Sequence, residues 1–402
     1  MQPSEHENNA EMEQKTTVLS SYVEESIPLG LYIHLPWCVR KCPYCDFNSH
    51  ACDNLPETRY VDALIADLEA SLPLVWGRPV QTVFFGGGTP SLFSPDAIAR
   101  ILREVRALMR LPPNAEITLE ANPGTAEQEK FSSFREAGVN RLSLGIQSFD
   151  DTMLQRLGRI HGAAEARQAV EMARAAGFDN INLDLMFGLP GQTLEQALAD
   201  LDRAIALAPA HLSRYQLTIE PNTLFHHQPP ALPDDGLIWE MQQQGNERLA
   251  AAGFHQYEVS AWSLPGRQCR HNRNYWEFGD YLGIGAGAHG KITDQGSGRI
   301  TRLWKHRHPD DYMGRRGGGF VSGSETLDAD DLPFEFMLNA LRLAEGVDRR
   351  LFRSRTGVAD SAIAATVTAL TDDGLLEGDT TRLRATELGQ RFLNEVIARF
   401  LP

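Results

Sequence analysis

Three cysteines, Cys38, Cys42 and Cys45, fall within eight residues in HLPWCVRKCPYCDF, spaced C-x3-C-x2-C. Soft thiolates at this density suit an iron–sulfur cluster or zinc. Three thiolates hold three irons of a 4Fe–4S cluster and leave the fourth iron open to a substrate. A structural zinc site needs a fourth ligand. His50 or Cys52 is available for that, but the spacing matches no familiar zinc motif. A fully ligated electron-transfer cluster using Cys52, or three unrelated buried thiols, are the remaining readings. Only Cys52 and Cys269 complete the five cysteines. Such a sparse, odd set is no disulfide framework and places the protein in a reducing compartment, expected to be the cytoplasm.

Other reactive residue types sit where short apolar runs end. Gly86, Gly87, Gly88 and Thr89 follow TVFF. Glycines let a backbone approach a ligand closely, although a tight turn explains them equally well. No Lys-Ser/Thr pair follows, so this is not a phosphate loop. Glu120, Gln147 and Asp184 are polar residues inside three successive apolar runs. HNRNYW spans His271 to Trp276, with Cys269 just before it. Arg299, Arg302, Lys305, Arg307, Arg315 and Arg316 outnumber Asp310 and Asp311 in a locally basic stretch. It could clamp carboxylates or be an ordinary solvated loop. Gly285, Gly287 and Gly290 match G-x-G-x-x-G, but late in the chain and without a clear βαβ context. YLGIGAGAHG (281–290) therefore reads as a close-packed glycine-rich loop.

The elements that must position these residues alternate regularly. Strand-like runs recur at 29–35, 82–88, 116–122, 141–148, 180–190 and 212–221, each too short for a helix and bounded by turn residues. Helical stretches fall between them, at 56–71, after Ser94–Pro95, and at 151–176 and 236–252. Thr125 with Gln128, and Thr193 with Gln196, have capping-box spacing. Six strand–helix units imply an α/β fold with a parallel sheet and right-handed crossovers. Six falls short of the eight of a closed barrel. The expected architecture is thus a partial (β/α)6 barrel, with a doubly wound sheet as the alternative. In either barrel form, polar residues at strand C-termini point into the barrel mouth.

Four segments are expected: an acidic disordered tail (1–28), the partial barrel (29–253), a glycine- and arginine-rich connection holding HNRNYW (254–330), and a C-terminal domain (331–402). The last reads as mainly helical and winged-helix-like, with GLLEGDTTRLRAT as the wing. Its recognition helix would fall near 359–371, yet residues 356–381 contain no Lys or Arg. Phosphate and guanine contacts lean on those donors, so no nucleic-acid partner is expected. The whole chain of 402 residues carries 38 basic and 53 acidic residues, a net charge of −15, which argues in the same direction. No apolar run approaches the roughly 18–20 residues of a membrane span, so no direct span is expected.

LYIHLPWCVRKCPYCDF, FFGGGTPS, LEANPG, RLSLGIQSFD, LGRIH, NLDLMFGLPGQT, QLTIEPNT and HNRNYW together resemble the oxygen-independent coproporphyrinogen III oxidase family. That family lies in the radical S-adenosylmethionine (SAM) superfamily, and within it the chain resembles the haem-chaperone branch. The resemblance implies a radical SAM barrel and a 4Fe–4S cluster held by Cys38, Cys42 and Cys45. The open iron would chelate SAM, whose S–C5′ bond breaks on reduction to give a 5′-deoxyadenosyl radical. Gly87, Gly88 and Thr89 would meet the methionine amine. Glu120, Gln147, Arg159 and Asp184 would line one SAM molecule or two, with Tyr32 and Tyr44 beside the cluster. HNRNYW is tied to haem, with His271 expected to contribute to haem binding and His271 or Cys269 as axial ligand. The basic stretch would then hold haem propionates. The oxidases carry a fourth cysteine where this chain has Phe47. The implied function is therefore a haem (or porphyrin) chaperone that hands haem to an acceptor protein. The alternatives are decarboxylation of coproporphyrinogen III, or another radical SAM reaction.

Overall fold

The computed structural model describes residues 27–52, 54–124 and 129–402. Most of the tail expected at 1–28, and the capping pair Thr125/Gln128, lie outside the described residues. Ile27 is already buried and Pro28 accepts a hydrogen bond from the Asp280 backbone.

The six strands expected from the sequence form one consecutive parallel block: β1 (Leu29–Leu35), β2 (Val80–Gly87), β3 (Glu116–Ala121), β4 (Arg141–Gln147), β5 (Ile181–Phe187) and β6 (His211–Gln216). The block is embedded in a 12-stranded sheet. Beyond β6 lies the antiparallel pair β7 (His255–Glu258) and β8 (Ala261–Ser263). On the other side of β1, β9 (Asp280–Ile284) adds a further parallel strand. Then β10 (His289–Thr293), β11 (Ile300–Lys305) and β12 (Val321–Thr326) follow antiparallel. The strand order is linear, so the barrel is open, as its count of units implied.

Two expectations are corrected. YLGIGAGAHG holds strand ends on both sides of a tight turn, with Gly285 and Gly287 at φ of 105° and 79°. A side chain on Gly283 would meet the His289 carbonyl at 1.9 Å, so glycine here serves close strand packing. The helix read over 151–176 is two helices, α4 (Asp151–Arg156) and α5 (Ala163–Ala175), broken at Gly158 and Gly162.

Period-2 patterning explains the barrel. On β1, Leu29, Leu31, Ile33 and Leu35 join the main apolar core, while Gly30, Tyr32 and His34 alternate with them. On β4, Leu142, Leu144 and Ile146 join the core, while Arg141, Ser143 and Gly145 alternate. On β5, Leu183 and Leu185 alternate with Asn182 and Asp184. The outer layer is built from α1 (Glu57–Ser71), α2 (Pro95–Leu108), α3 (Phe131–Ala137), α5, α6 (Leu194–Ala206) and α7 (Asp235–Ala251). Ser94 caps α2 and the Thr193/Gln196 box caps α6, as their spacing implied.

HNRNYW forms α8 (Arg270–Trp276), which packs on β1, β2 and β9. Glu116, at the N-terminal end of β3, accepts from the backbone N–H of Arg270 and of His271 at 3.2 and 3.1 Å. His271 meets Thr82 near the start of β2. The motif is therefore the floor of the barrel, opposite the strand C-termini.

The C-terminal residues fold into α9 (Leu332–Ala340), α10 (Arg350–Thr356), α11 (Ser361–Asp372), α12 (Glu387–Arg391) and α13 (Leu393–Ala398), with a two-stranded pair of Val347–Asp348 and Arg382–Leu383. The helical content matches the expectation, and within GLLEGDTTRLRAT a single antiparallel bridge, Leu376 to Ala385, closes the expected hairpin. A second apolar core joins Phe336, Met337, Phe352, Ile363 and Leu370 to Tyr257, Phe278 and Ile300 of the sheet region. Among the described residues no helix is long and apolar enough to cross a membrane.

Candidate functional site

The strand C-termini and the cysteine loop enclose a cavity of about 500 Å³. Cys38, Cys42, Cys45, Tyr44, Gly87, Gly88, Thr89, Glu120, Gln147, Arg159 and Asp184 all line it. The sequence reading thus converges on one place. Two of its residues lie elsewhere: Tyr32 lines a second, neighbouring cavity and His271 lines neither.

The cysteine loop leaves β1 at Leu35 and runs out along a two-residue ladder, Trp37–Cys38 against His50–Ala51. Thr89 Oγ1 donates to Cys38 Sγ at 3.4 Å, and Arg159 Nη1 donates to Cys42 Sγ at 3.6 Å. Cys45 Sγ lies 3.9 Å from Ser49 Oγ. Burial raises the Cys38 and Cys45 thiols. Cys52 instead donates to the Asn54 carbonyl and does not line the cavity. Three thiols and not four therefore share the site. Among the described residues no three His, Cys, Asp or Glu side chains are grouped to hold a single metal ion. A cubane cluster asks each thiolate for a different iron, so its ligands need not converge on one point.

The glycine loop is shaped for close approach. A Cβ on Gly88 would lie 2.4 Å from the Trp37 carbonyl oxygen, and Gly87 has φ of 117°. Gly87 N donates to Glu120 Oε2 at 3.3 Å. Burial, then the nearby Asp184 carboxylate, push Glu120 up to about 8. Asp184, also raised by burial, accepts from Ser143 Oγ at 3.0 Å and Asn182 Nδ2 at 2.8 Å. Gln147 closes β4 at a register irregularity, with φ of 67°, and accepts from the Tyr215 hydroxyl at 3.1 Å. Arg159 Nη2 donates to Asn122 Oδ1 and to the Gly145 carbonyl, while its buried Nε has no partner among the described residues. Three thiols, an orphaned guanidinium nitrogen, half-buried carboxylates and a glycine edge fit a cluster and a charged, zwitterionic ligand.

Asn122, Ser143, Asn182 and Tyr215 belong to this constellation and were missed. Ser143, Asn182 and Tyr215 occupy the same alternate positions as Glu120 and Asp184 along their strands. The period-2 pattern held that signal. Asn122 sits in LEANPG, just past β3, and donates to Thr89 Oγ1 at 2.8 Å.

The second cavity, about 800 Å³, adjoins the first, and Phe47, Gly87 and Glu120 line both. Its walls come from β1 (Tyr32, His34), β9–β11 (Tyr281, His289, Arg302, Trp304), α8 (Tyr275, Trp276) and Asn339 of α9. His34 Nε2 lies 2.9 Å from the Asn48 carbonyl, which can only accept. His34 Nδ1 therefore accepts from the Tyr32 hydroxyl at 3.0 Å. Phe47 is 62% exposed at the junction of the two cavities.

HNRNYW is placed differently from the expectation. His271 is 1% exposed. Its Nδ1 lies 2.7 Å from Thr82 Oγ1 and its Nε2 2.7 Å from the Tyr275 hydroxyl. Burial lowers it to about 3. Both ring nitrogens are engaged, so His271 is not presented as an iron ligand. It props Tyr275, which does line the large cavity. Cys269 is fully buried, with its Sγ 3.7 Å from Glu116 Oε1, and lines neither cavity, so it is not presented to a haem there. The basic stretch is likewise not one clamp. Lys305 is buried in an ion pair with Asp67, and Arg302 pairs with Glu335. Arg307 is exposed and lines the cavity.

Comparison with known proteins agrees with this architecture. The Radical SAM superfamily profile matches residues 32–204 and the HemN C-terminal domain profile matches 327–392. The solved coproporphyrinogen III oxidase HemN of Escherichia coli has a similar fold (TM-score 0.79, 24% identity, 96% of this chain and 93% of that one). The open barrel, its cysteine loop and its C-terminal helices are those of a radical SAM protein with a HemN-type C-terminal domain. The chain is 50% identical to "Heme chaperone HemW" of Escherichia coli K12, over 93% of this chain and 98% of that protein. It is 49% identical to the Haemophilus influenzae protein of the same name, with the same coverage. It belongs to the HemW family.

Proposed function

We propose that this chain is a haem chaperone that holds a 4Fe–4S cluster and SAM in one cavity and haem in the next, and passes the haem to an acceptor protein. The observation that carries the reading is the pair of contiguous cavities meeting at Phe47, Gly87 and Glu120. Cys38, Cys42 and Cys45 hold the cluster. Tyr44 packs beside it, and Gly87, Gly88 and Thr89 take the methionine amine of SAM. Glu120, Gln147, Arg159 and Asp184 line the rest of SAM, and Tyr32 faces the space between SAM and haem. One SAM fills the smaller cavity, and the larger is assigned to haem. A cysteine set given over to a cluster rather than to disulfides supports a cytoplasmic setting.

The cluster, when bound, supplies the low-potential electron for SAM cleavage. The chain's own residues position and exclude. Arg159 and Thr89 hold thiolate sulfurs by hydrogen bonds. Glu120, whose proton burial retains, would give it up and accept an N–H hydrogen bond where a cationic ligand amine comes against it. Phe47 separates the cluster loop from the larger cavity with an apolar ring, where the oxidases place a thiol.

The test is an anaerobic incubation of cluster-reconstituted protein with SAM, reductant and coproporphyrinogen III, following 5′-deoxyadenosine and protoporphyrinogen together. A parallel haem titration and transfer to an apo-haemoprotein complete it. Haem uptake and delivery without protoporphyrinogen supports the chaperone reading. Multiple-turnover protoporphyrinogen makes the chain an oxidase.

A further inference from the structure

The larger cavity contains two histidines, and they differ in one respect. His34 is buried, with both ring nitrogens committed to Tyr32 and the Asn48 carbonyl. His289, on β10, is exposed to the cavity, and among the described residues neither ring nitrogen has a hydrogen-bond partner. Its ring lies nearly parallel to Trp304 on the paired strand, with centroids 6.5 Å apart and planes at 29°. Iron takes neutral imidazole as its axial ligand.

The surroundings suit a flat, amphipathic molecule. Trp304 lies across Gly323 of β12, where a Cβ would come within 2.4 Å of the indole. Tyr281 and Tyr275 stand edge-to-face, 4.5 Å between centroids, on the neighbouring wall. At the rim, Arg307 Nε donates to Asn48 Oδ1 at 3.3 Å, while the residue itself is exposed. Its position suits forked recognition of a carboxylate. The volume of about 800 Å³ lies toward the upper end of the roughly 300–1,000 Å³ of small-molecule sites.

We propose that His289 is the axial ligand of the haem iron and that Arg307 binds a haem propionate at the cavity rim. This rests on the haem-chaperone reading and adds to it the site and the ligating atom. The site differs from HNRNYW, whose histidine is closed off beneath Tyr275.

The test is a ferric haem titration of the full chain, read by absorption and by electron paramagnetic resonance. The variants are His289→Ala, Arg307→Ala and His271→Ala. His289→Ala is expected to change the spin state and Soret position and to weaken haem at least about tenfold, with added imidazole restoring the wild-type spectrum. Arg307→Ala is expected to leave the spectrum unchanged. It should weaken haem by several-fold while leaving haem dimethyl ester, whose propionates are blocked, unaffected. His271→Ala is expected to keep the wild-type line shape in the folded fraction. A wild-type spectrum in His289→Ala overturns the ligand assignment while the chaperone reading stands. An equal effect of Arg307→Ala on haem and its diester overturns the propionate assignment. Absence of haem binding by the unaltered chain overturns the chaperone reading itself, and the assignment with it.

Discussion

Gly87 N donates to Glu120 Oε2 at 3.3 Å, tying the end of β2 to β3 where the two cavities meet. This is the carboxyl that burial and Asp184 raise to about 8. In the unfolded chain it ionises near its ordinary 4.5. The folded protein therefore holds the extra proton between those values, and stability contributed by this group falls as pH rises from about 4.5 to 8. Glu120→Gln mimics the protonated form. Chemical melts of the apo-protein at pH 5 and pH 8 should show a smaller loss in the variant, by on the order of a few kcal/mol. An identical pH dependence in the two proteins would refute the raised value.

Cys38→Ser, Cys42→Ser and Cys45→Ser should each abolish the reconstituted cluster, read as iron and sulfide per chain. Cys52→Ser and Cys269→Ser should retain it, because neither thiol lines the site. Loss of the cluster in Cys52→Ser would instead make the site four-ligated.

Gln147 holds a backbone conformation with φ of 67° that favours glycine. Its side chain is kept there by the Tyr215 hydroxyl. Gln147→Gly relieves strain of order 1 kcal/mol and loses one hydrogen bond of about the same size. Thermal stability should move little, whereas SAM affinity measured by calorimetry should fall. A large stability loss with unchanged affinity would make Gln147 purely structural.

Lys305 and Asp67 form a buried pair shared with Ser71 and Tyr312. Lys305→Met strands the Asp67 carboxylate in the core, and breaking such a pair costs about 3–5 kcal/mol. Denaturant melts should show a loss of that order at pH 7. A change below about 0.5 kcal/mol, the range of ordinary surface substitutions, would show that the pair contributes nothing.

What was legible followed from short-range spacing. The C-x3-C-x2-C run, the six alternating units and the caps at Ser94 and Thr193 are local patterns, and each is where its spacing put it. Glu120 and Asp184 stood out as charges in apolar strands, and alternation carries them into the cavity. Ser143, Asn182 and Tyr215 obey the same alternation but are too ordinary to stand out in a strand. What was not legible depends on distant partners. Nothing near residue 271 announces that Thr82, 189 positions away, binds its imidazole. Nothing near Lys305 announces Asp67, 238 positions away. Glycines misled at 281–290 because in this segment they serve strand contact as well as turning.

Phe47, Gly87 and Glu120 belong to both chambers at once. A partition with two faces makes whatever passes through it mutual. If an occupant of the smaller chamber alters the hold on an occupant of the larger by some factor, the second must alter the hold on the first by that same factor. The two affinities then share one coupling constant, and measuring it from either chamber gives its value for the other.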